Sequence, residues 1–218
     1  MIFIFVGSNR GVNPIIPWKL AMPSTNPKSE KPALFWSGGK DAYLALLEWQ
    51  KHGLPDPILI TTYDDESGMV PFQEIPISRI QRQALHLELP LITIPFSYPV
   101  NNQSYLSALK IEFTSAPFLV TDLIFGDLHL QDIRDWREKE FSRLGFQSHF
   151  PIWDKSPDEL LTMLEQSPTE IRIRSVEDKW REVIKPGMLF NRELVRSLPE
   201  SIDPFGERGE FHTEVIFT

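Results

Sequence analysis

The chain has 218 residues, no cysteine, and a formal net charge of −8 at pH 7, from 30 acidic and 22 basic side chains. Without cysteine it forms no disulfide bonds, cysteine zinc sites or thiolate-held iron–sulfur clusters. An acidic chain has no general attraction for nucleic acid or anionic membranes, so we expect neither as a partner. The length and the hydrophobic content of 41% suit a globular domain or a domain and a half.

The first 31 residues predict an irregular extension before the folded region. Residues 7–32 hold five prolines and few periodic apolar positions, which is typical of a poorly packed segment. The apolar run over residues 1–6 is too short for a secretory signal or a membrane span, so we expect a cytoplasmic location.

The most informative motif is the glycine loop, Ser37-Gly38-Gly39-Lys40-Asp41, which follows the apolar run 33–36 and precedes an amphipathic pattern over 43–50. A strand, a glycine turn and a helix N-terminus aim backbone N–H groups at an anion. Adjacent glycines also let a phosphate approach the backbone closely. The loop therefore predicts a nucleotide phosphate site.

Each residue of the glycine loop has a predicted role. Ser37, Gly38 and Gly39 supply N–H donors, Lys40 supplies positive charge, and Asp41 holds Mg²⁺ or caps the following helix. The loop is not a Walker A motif, because Lys40 is followed by Asp41 and not by Ser or Thr. It is not a dinucleotide fingerprint either. The alternative is an ordinary strand-to-helix turn in which Asp41 is only the N-cap.

Alternating strand and helix patterns follow the loop, and they predict an α/β fold with a doubly wound parallel sheet. Strands are predicted over 58–62, 91–94 and 118–125, and helices over 78–87, with Ser78 as N-cap, 101–115 and 132–144. A capping box at Ser156, a strand over 170–176, a helix over 192–198 and a strand over 212–217 predict a smaller C-terminal α+β region. Ligands bind beyond the carboxyl ends of parallel strands, where the glycine loop and Gly126-Asp127 both lie.

The glycine loop resembles the PP-loop of the ATP pyrophosphatases, and further segments narrow the resemblance. They are Ile75-Pro76, Gly126-Asp127 with the helix that follows, Pro151-Ile152-Trp153, and the signature segment, residues 206–215 (GERGEFHTEV). Together they resemble the diphthine–ammonia ligase family. The resemblance implies a Rossmann-like PP-loop fold, with an ATP-binding domain over 32–128 and a substrate-binding region over 129–218.

The resemblance also implies a reaction. A substrate carboxylate attacks the α-phosphate of ATP, pyrophosphate leaves, and ammonia then displaces AMP to give an amide. The implied cofactors are ATP and Mg²⁺, and the implied partners are a small-molecule or protein carboxylate and ammonia. A homodimer is left open. Without cysteine, a sulfur-transferring relative would need sulfur delivered from outside.

The residues implied by the resemblance fall into three groups. Lys40, Asp41 and Asp127 are expected to be catalytic, with Asp41 also holding the metal. The glycine loop and Gly126 are expected to bind the nucleotide. The substrate is expected to contact Arg134, Arg137, Glu138, Glu207, Glu210, His212 and Thr213.

Several alternatives stay open at these positions. Arg134 and Glu138 are four residues apart on one predicted helix, so an ordinary surface ion pair is an equal alternative. Glu207, Glu210 and His212 also permit a metal site, although substrate or nucleotide contact is favoured. Ala42 and Gln73 stand where the family usually has Ser and His. The rival functions are a nucleotide-binding module without turnover and a nucleotide α–β hydrolase.

Overall fold

A computed structural model describes residues 28–217. Most of the predicted N-terminal extension therefore lies outside the described residues, and only residues 28–31 of it are placed. These residues pair with Leu119, whose N–H donates to the Ser29 carbonyl and whose carbonyl accepts from the Lys31 N–H, both at 3.0 Å.

Strands and helices alternate along most of the chain, as the sequence predicts. In order they are β1 (Ala33–Phe35), α1 (Lys40–Lys51), β2 (Ile58–Asp64), β3 (Met69–Val70), β4 (Ile75–Pro76), α2 (Ile77–His86), β5 (Leu91–Phe96), α3 (Asn102–Ser115), β6 (Asp122–Ile124), α4 (Gln131–Arg143), β7 (Gln147–His149), α5 (Pro157–Glu165), β8 (Thr169–Val176), a short 3-10 helix (Asp178–Trp180), α6 (Arg192–Ser197) and β9 (Phe211–Phe217).

Five parallel strands form the central sheet in the order β5-β2-β1-β6-β7. One core lies on the face covered by α1, α2 and α5, and a second core lies on the face covered by α3 and α4. Helices on both faces of a parallel sheet confirm the predicted doubly wound α/β fold. The strand order reverses between β1 and β6, and ligands bind at such a switch point.

Several element boundaries differ from the sequence prediction. Ser78 does not cap α2, because the N-cap is Pro76 and the helix starts one residue earlier than predicted. The apolar run over 118–125 forms a strand only at its end, in β6. The sequence does not predict β7, which lies in the range assigned to the substrate-binding region and pairs with β6 as the fifth strand of the sheet.

The predicted capping box is confirmed, and α3 has a cap that the sequence analysis does not predict. Ser156 forms a capping box with Glu159 at the start of α5, and Pro157 is the first residue of that helix. The Asn101 side chain accepts from the Ser104 N–H at the start of α3. Caps are readable from sequence because their partners lie within one turn.

The strands β8 and β9 form a separate antiparallel pair. The strand β9 packs against α1 and α2, and the Val215 N–H donates to the Gly38 carbonyl at 2.9 Å. The last strand of the described chain thereby lies against the glycine loop. None of the helices between residues 28 and 217 is long and apolar enough to cross a membrane.

Candidate functional site

The glycine loop makes the turn from β1 into α1. Its N-cap residue is Gly39, and Asp41 lies inside the first helical turn, so the alternative in which Asp41 is the N-cap is wrong. Gly38 has a φ of +82°, and a Cβ there would lie 2.5 Å from Ile80 Cδ1. The backbone conformation therefore favours glycine, and a side chain there would also require the end of the Ile80 side chain to move.

The strand β9 holds the loop in place. The Lys40 N–H donates to Thr213 Oγ1 at 3.0 Å, which satisfies one of the free N–H groups of the α1 N-terminus. Thr213, which the sequence assigns to the substrate, is buried and used in this contact.

Gln83 is a further residue of the site, and the sequence does not single it out. Its buried side-chain amide donates to the carbonyls of Gly38 (3.2 Å) and Val215 (2.8 Å), and its Oε1 accepts from Trp36 Nε1 at 2.9 Å. One side chain thus joins the residue directly after β1, the glycine loop and β9. The sequence does hold one signal for this role. Gln83 stands beside Ala84 on the apolar face of α2, and a polar side chain that is buried there needs hydrogen-bond partners.

Gly126 brings the end of β6 against the start of α1. A Cβ at Gly126 would lie 2.6 Å from both the C and O atoms of Asp41 and 2.9 Å from the Ala42 nitrogen. Only glycine permits this approach, and it places Asp127 beside the glycine loop. The two predicted nucleotide-binding segments therefore adjoin.

A cavity of about 410 Å³ opens at this point. Its lining includes the ends of β1, β2 and β6, the loop between β3 and β4, and the signature segment. One part of the lining is aromatic. Phe35, Tyr105 and Phe125 pack on the second core, and the Tyr98 ring contacts Phe96 of that core. The other part is polar and includes Ser37, Lys40, Asp41, Asp127, Glu207 and His212.

Three carboxyl groups line the cavity and influence one another. Burial raises the pKa of Asp41, an effect that Lys40 opposes, and the Asp41 Oδ1 atom has no hydrogen-bond partner. Burial, with the Asp41 charge, raises the pKa of Glu207 to about 8. Asp127 is paired with Arg137, whose Nε lies 2.7 Å from its Oδ2. Crowded carboxylates that favour protonation attract a cation or take part in proton transfer.

Lys40 does not extend into open solvent. The side chain is 2% exposed, and its ammonium group lies 2.9 Å from Asp41 Oδ2. Three phenyl rings surround the ammonium at 5.3–5.6 Å from their centroids, those of Phe190, Phe205 and Phe211. The charge is therefore held between the cavity wall and the C-terminal region by an ion pair and cation–π contacts.

Two of the signature-segment residues have different environments. Glu210 is buried, and its carboxylate accepts from the N–H groups of Asp203 (3.0 Å) and Arg208 (3.1 Å), so it shapes the turn before β9. His212 lines the cavity, and burial, with the nearby Lys40 charge, lowers its pKa to about 4. His212 is therefore neutral at pH 7.

The predicted substrate residues of α4 separate into two groups. Arg134 pairs with Glu138 at 2.8 Å, and its guanidinium lies over the rings of Phe150 and Trp153. Neither Arg134 nor Glu138 is among the residues lining the cavity, whereas Arg137 is. Arg137 lies 4.3 Å above the centre of the Phe125 ring.

No group of three or more metal-ligating His, Asp or Glu side chains is preassembled anywhere in residues 28–217. The glutamates and histidine of the signature segment, Glu207, Glu210 and His212, therefore do not form a metal cluster by themselves.

Comparison of the sequence with known proteins finds no match. No family model matches the chain, and no curated protein matches it. Among solved structures it is similar to the U34-tRNA thiolase NcsA from Methanococcus maripaludis with its [4Fe-4S] cluster, at 17% identity and a TM-score of 0.37. The match covers 64% of this chain and 57% of that protein's chain. At these values the likeness does not bear on function.

Proposed function

We propose that this protein binds ATP in the cavity above β1 and β6 and uses it to activate a carboxylate for amidation, in the manner of a diphthine–ammonia ligase. The observation that carries the proposal is the packing of the glycine loop, Gly126 and the signature segment around one cavity. Two close glycine contacts and a helix N-terminus at a topological switch point favour a phosphate ligand.

In this proposal the triphosphate lies over the glycine loop. Backbone N–H groups at the start of α1 donate to phosphate oxygens, and Lys40 adds positive charge at the edge of the cavity. The base lies against the aromatic lining, where Tyr98 and Tyr105 provide flat apolar surface. Burial raises the pKa of Tyr105 to about 12, so its phenol stays protonated and can donate a hydrogen bond.

Mg²⁺ fits this arrangement as a phosphate-bound ion. It commonly uses one or two protein carboxylates, with phosphate oxygens and water as the other ligands. The unpartnered Asp41 Oδ1 and the neighbouring Asp127 supply such carboxylates. The bound ion would neutralise charge on the leaving pyrophosphate.

The reaction then has two balanced steps. A substrate carboxylate oxygen attacks the α-phosphorus of ATP, and the bond from that phosphorus to the oxygen of the β-phosphate breaks. Pyrophosphate departs, and an acyl-adenylate remains. Ammonia attacks the acyl carbon, AMP leaves with the bonding electrons, and the amide nitrogen loses a proton. Glu207 lines the cavity, and its pKa is raised to about 8. Its ionised fraction, which grows as the pH approaches 8, can accept that proton.

The test uses ATP labelled on its α-phosphate, Mg²⁺, ammonium and a panel of carboxylates. We expect labelled AMP and an equal amount of pyrophosphate, dependent on both carboxylate and ammonium. Asp41→Asn should abolish the reaction, while Asp178→Asn, at a side chain that is 90% exposed, should leave it unchanged. ADP and phosphate as the products would refute the mechanism.

One observation favours a second candidate, a nucleotide-binding module without turnover. Lys40 is enclosed by three phenyl rings and paired with Asp41, so its charge is already partly satisfied before any phosphate arrives. Tight ATP binding by calorimetry, with no AMP formed in the presence of any carboxylate of the panel, would support this candidate.

A further inference from the structure

The orientation of one peptide in the glycine loop, between Gly38 and Gly39, is fixed by two hydrogen bonds. The Gly38 carbonyl accepts from the Val215 N–H at 2.9 Å and from the Gln83 side-chain amide at 3.2 Å. In a trans peptide the carbonyl and the N–H point in opposite directions. The two bonds therefore aim the Gly39 N–H away from β9 and α2.

The Gly39 N–H is left available for a ligand. Within the described chain it donates to Ser37 Oγ at 3.4 Å, which is longer than the usual N–H···O range of about 2.7–3.2 Å. Ser37 and Gly39 both line the cavity. A phosphate oxygen in place of Ser37 Oγ would receive a stronger, charge-assisted bond from this N–H.

Glycine makes this orientation easy to lose. Both residues of the peptide lack a Cβ, and Gly38 has a φ of +82°, so the backbone on either side has more freedom than in any other residue. A flipped peptide would turn the Gly38 carbonyl towards the cavity, where it would repel phosphate oxygens. The loop therefore needs an anchor from outside its own sequence.

Gln83 supplies an anchor whose polarity is fixed. Its Oε1 accepts from Trp36 Nε1 at 2.9 Å, and an indole nitrogen only donates. The amide oxygen must therefore face Trp36, and the amide nitrogen must face the carbonyls of Gly38 and Val215. Trp36 and Gln83 are both buried, so water does not compete for these bonds.

We propose that Gln83 is a positioning residue for nucleotide binding, which holds the Gly38–Gly39 peptide with its N–H directed to the phosphates. This inference rests on the proposed binding of ATP at the glycine loop, and it adds the side chain that sets the polarity of the loop. Gln83 is not among the residues that line the cavity. Its effect reaches the nucleotide only through the loop.

The test observes the Gly39 amide directly. Gly38-Gly39 is the only pair of adjacent glycines in the sequence, so in protein labelled with ¹³C-carbonyl, ¹⁵N-glycine only the Gly39 nitrogen is bonded to a labelled carbonyl carbon. The protein is titrated with Mg²⁺ and α,β-methylene ATP, which cannot be cleaved at the α–β bond. We expect the Gly39 amide proton to shift downfield as it binds a phosphate oxygen.

Substitutions separate positioning from stability. Gln83→Met keeps the length of the side chain and removes all three bonds, and calorimetry should show a loss of roughly tenfold or more in affinity for the analogue. The double variant Trp36→Phe/Gln83→Met also removes the indole donor that Gln83→Met leaves unpaired. It should regain stability in urea while its affinity stays low.

Ser156→Ala is the control for a loss of stability alone. It removes the exposed cap of α5, outside the cavity lining, and it should lower the urea midpoint without changing the affinity. Unchanged affinity in Gln83→Met would overturn the positioning role, as would a Gly39 amide that does not shift when the unmodified protein binds the analogue. Affinity that returns with stability in the double variant would overturn it too.

The outcome is separable from the proposed reaction. An affinity loss in Gln83→Met, with no AMP formed by the unmodified protein, would contradict the amidation alone. AMP formation by the unmodified protein, with unchanged affinity in Gln83→Met, would contradict the positioning role alone. Failure of the unmodified protein to bind the analogue would contradict both.

Discussion

The close approach between the backbone of Gly126 and the backbone at the start of α1 allows a quantitative prediction. In Gly126→Ala the new methyl group would lie 2.6 Å from the C and O atoms of Asp41, whereas carbon contacts are ordinarily about 3.5–4.0 Å. The backbones must therefore separate by roughly 1 Å. Overpacking usually costs about 1–3 kcal/mol, and we expect the upper end because the clash is with backbone atoms.

A loss of about 3 kcal/mol in the free energy of unfolding corresponds to a fall of roughly 6–12 °C in Tm for a chain of this size. Thermal denaturation followed by circular dichroism measures the shift. Calorimetric titration with ATP and Mg²⁺ measures the second expected effect, a loss of roughly tenfold or more in affinity, because Asp127 moves away from the glycine loop.

Gly145→Ala is the matched control. Gly145 has a φ of +89°, and a Cβ there meets nothing within 4 Å. The control should cost about 1–2 kcal/mol from backbone strain alone and leave ATP affinity unchanged. The reasoning fails if Gly126→Ala melts no lower than the control, or if both variants bind ATP as the unmodified protein does.

Three further predictions concern residues that line the cavity. The folded state holds the Glu207 pKa at about 8, up from 4.5, so it binds more protons than the unfolded chain in that range, and stability falls as pH rises from 4.5 to 8. Urea denaturation of Glu207→Gln at pH 5 and pH 8 should therefore show a gain in stability over the unmodified protein that is much larger at pH 8 than at pH 5. Thr213→Val removes the acceptor for the buried Lys40 N–H and should cost about 1–3 kcal/mol, measured by urea denaturation. Phe72→Gly should raise Tm, because relief of the strained φ of +66° at Phe72 is worth about 1 kcal/mol; a lower Tm would show that the ring itself stabilises the fold.

Much of the fold is readable from the sequence because its signals are local. The apolar run before the glycine loop and the Ser156 capping box each depend on residues within one turn or strand. The strand β7 is not readable in this way, since its three residues, Gln147 to His149, are polar and it lies at the sheet edge. Its strand conformation comes from pairing with β6, a tertiary effect.

For the site, too, the sequence predicts the features that depend on neighbouring residues and not the contacts between distant ones. Gly38 and Gly126 are predicted as nucleotide contacts from their places after strands, and their tight packing agrees with a role that only glycine can fill. The contacts of Glu210, Thr213 and Gln83 could not be predicted, because each joins segments that are distant in sequence. A motif gives the residue types at a site, but it does not tell which side chains face the ligand and which hold the backbone.

Some residues of the signature segment hold the glycine loop and others line the cavity, so this segment connects the two steps of the proposed reaction. Thr213 and Val215 hold the glycine loop through the Lys40 N–H and the Gly38 carbonyl, while Glu207 and His212 line the cavity on the same segment. A loop with two adjacent glycines loses much conformational freedom when it is fixed. Because β9 fixes it before any ligand arrives, that cost falls on folding and not on binding. In the proposed reaction the same strand would also set the position of the acceptor relative to the phosphates, because His212 on β9 lines the cavity. A displacement of β9 is therefore expected to weaken nucleotide binding and to misalign the acceptor together.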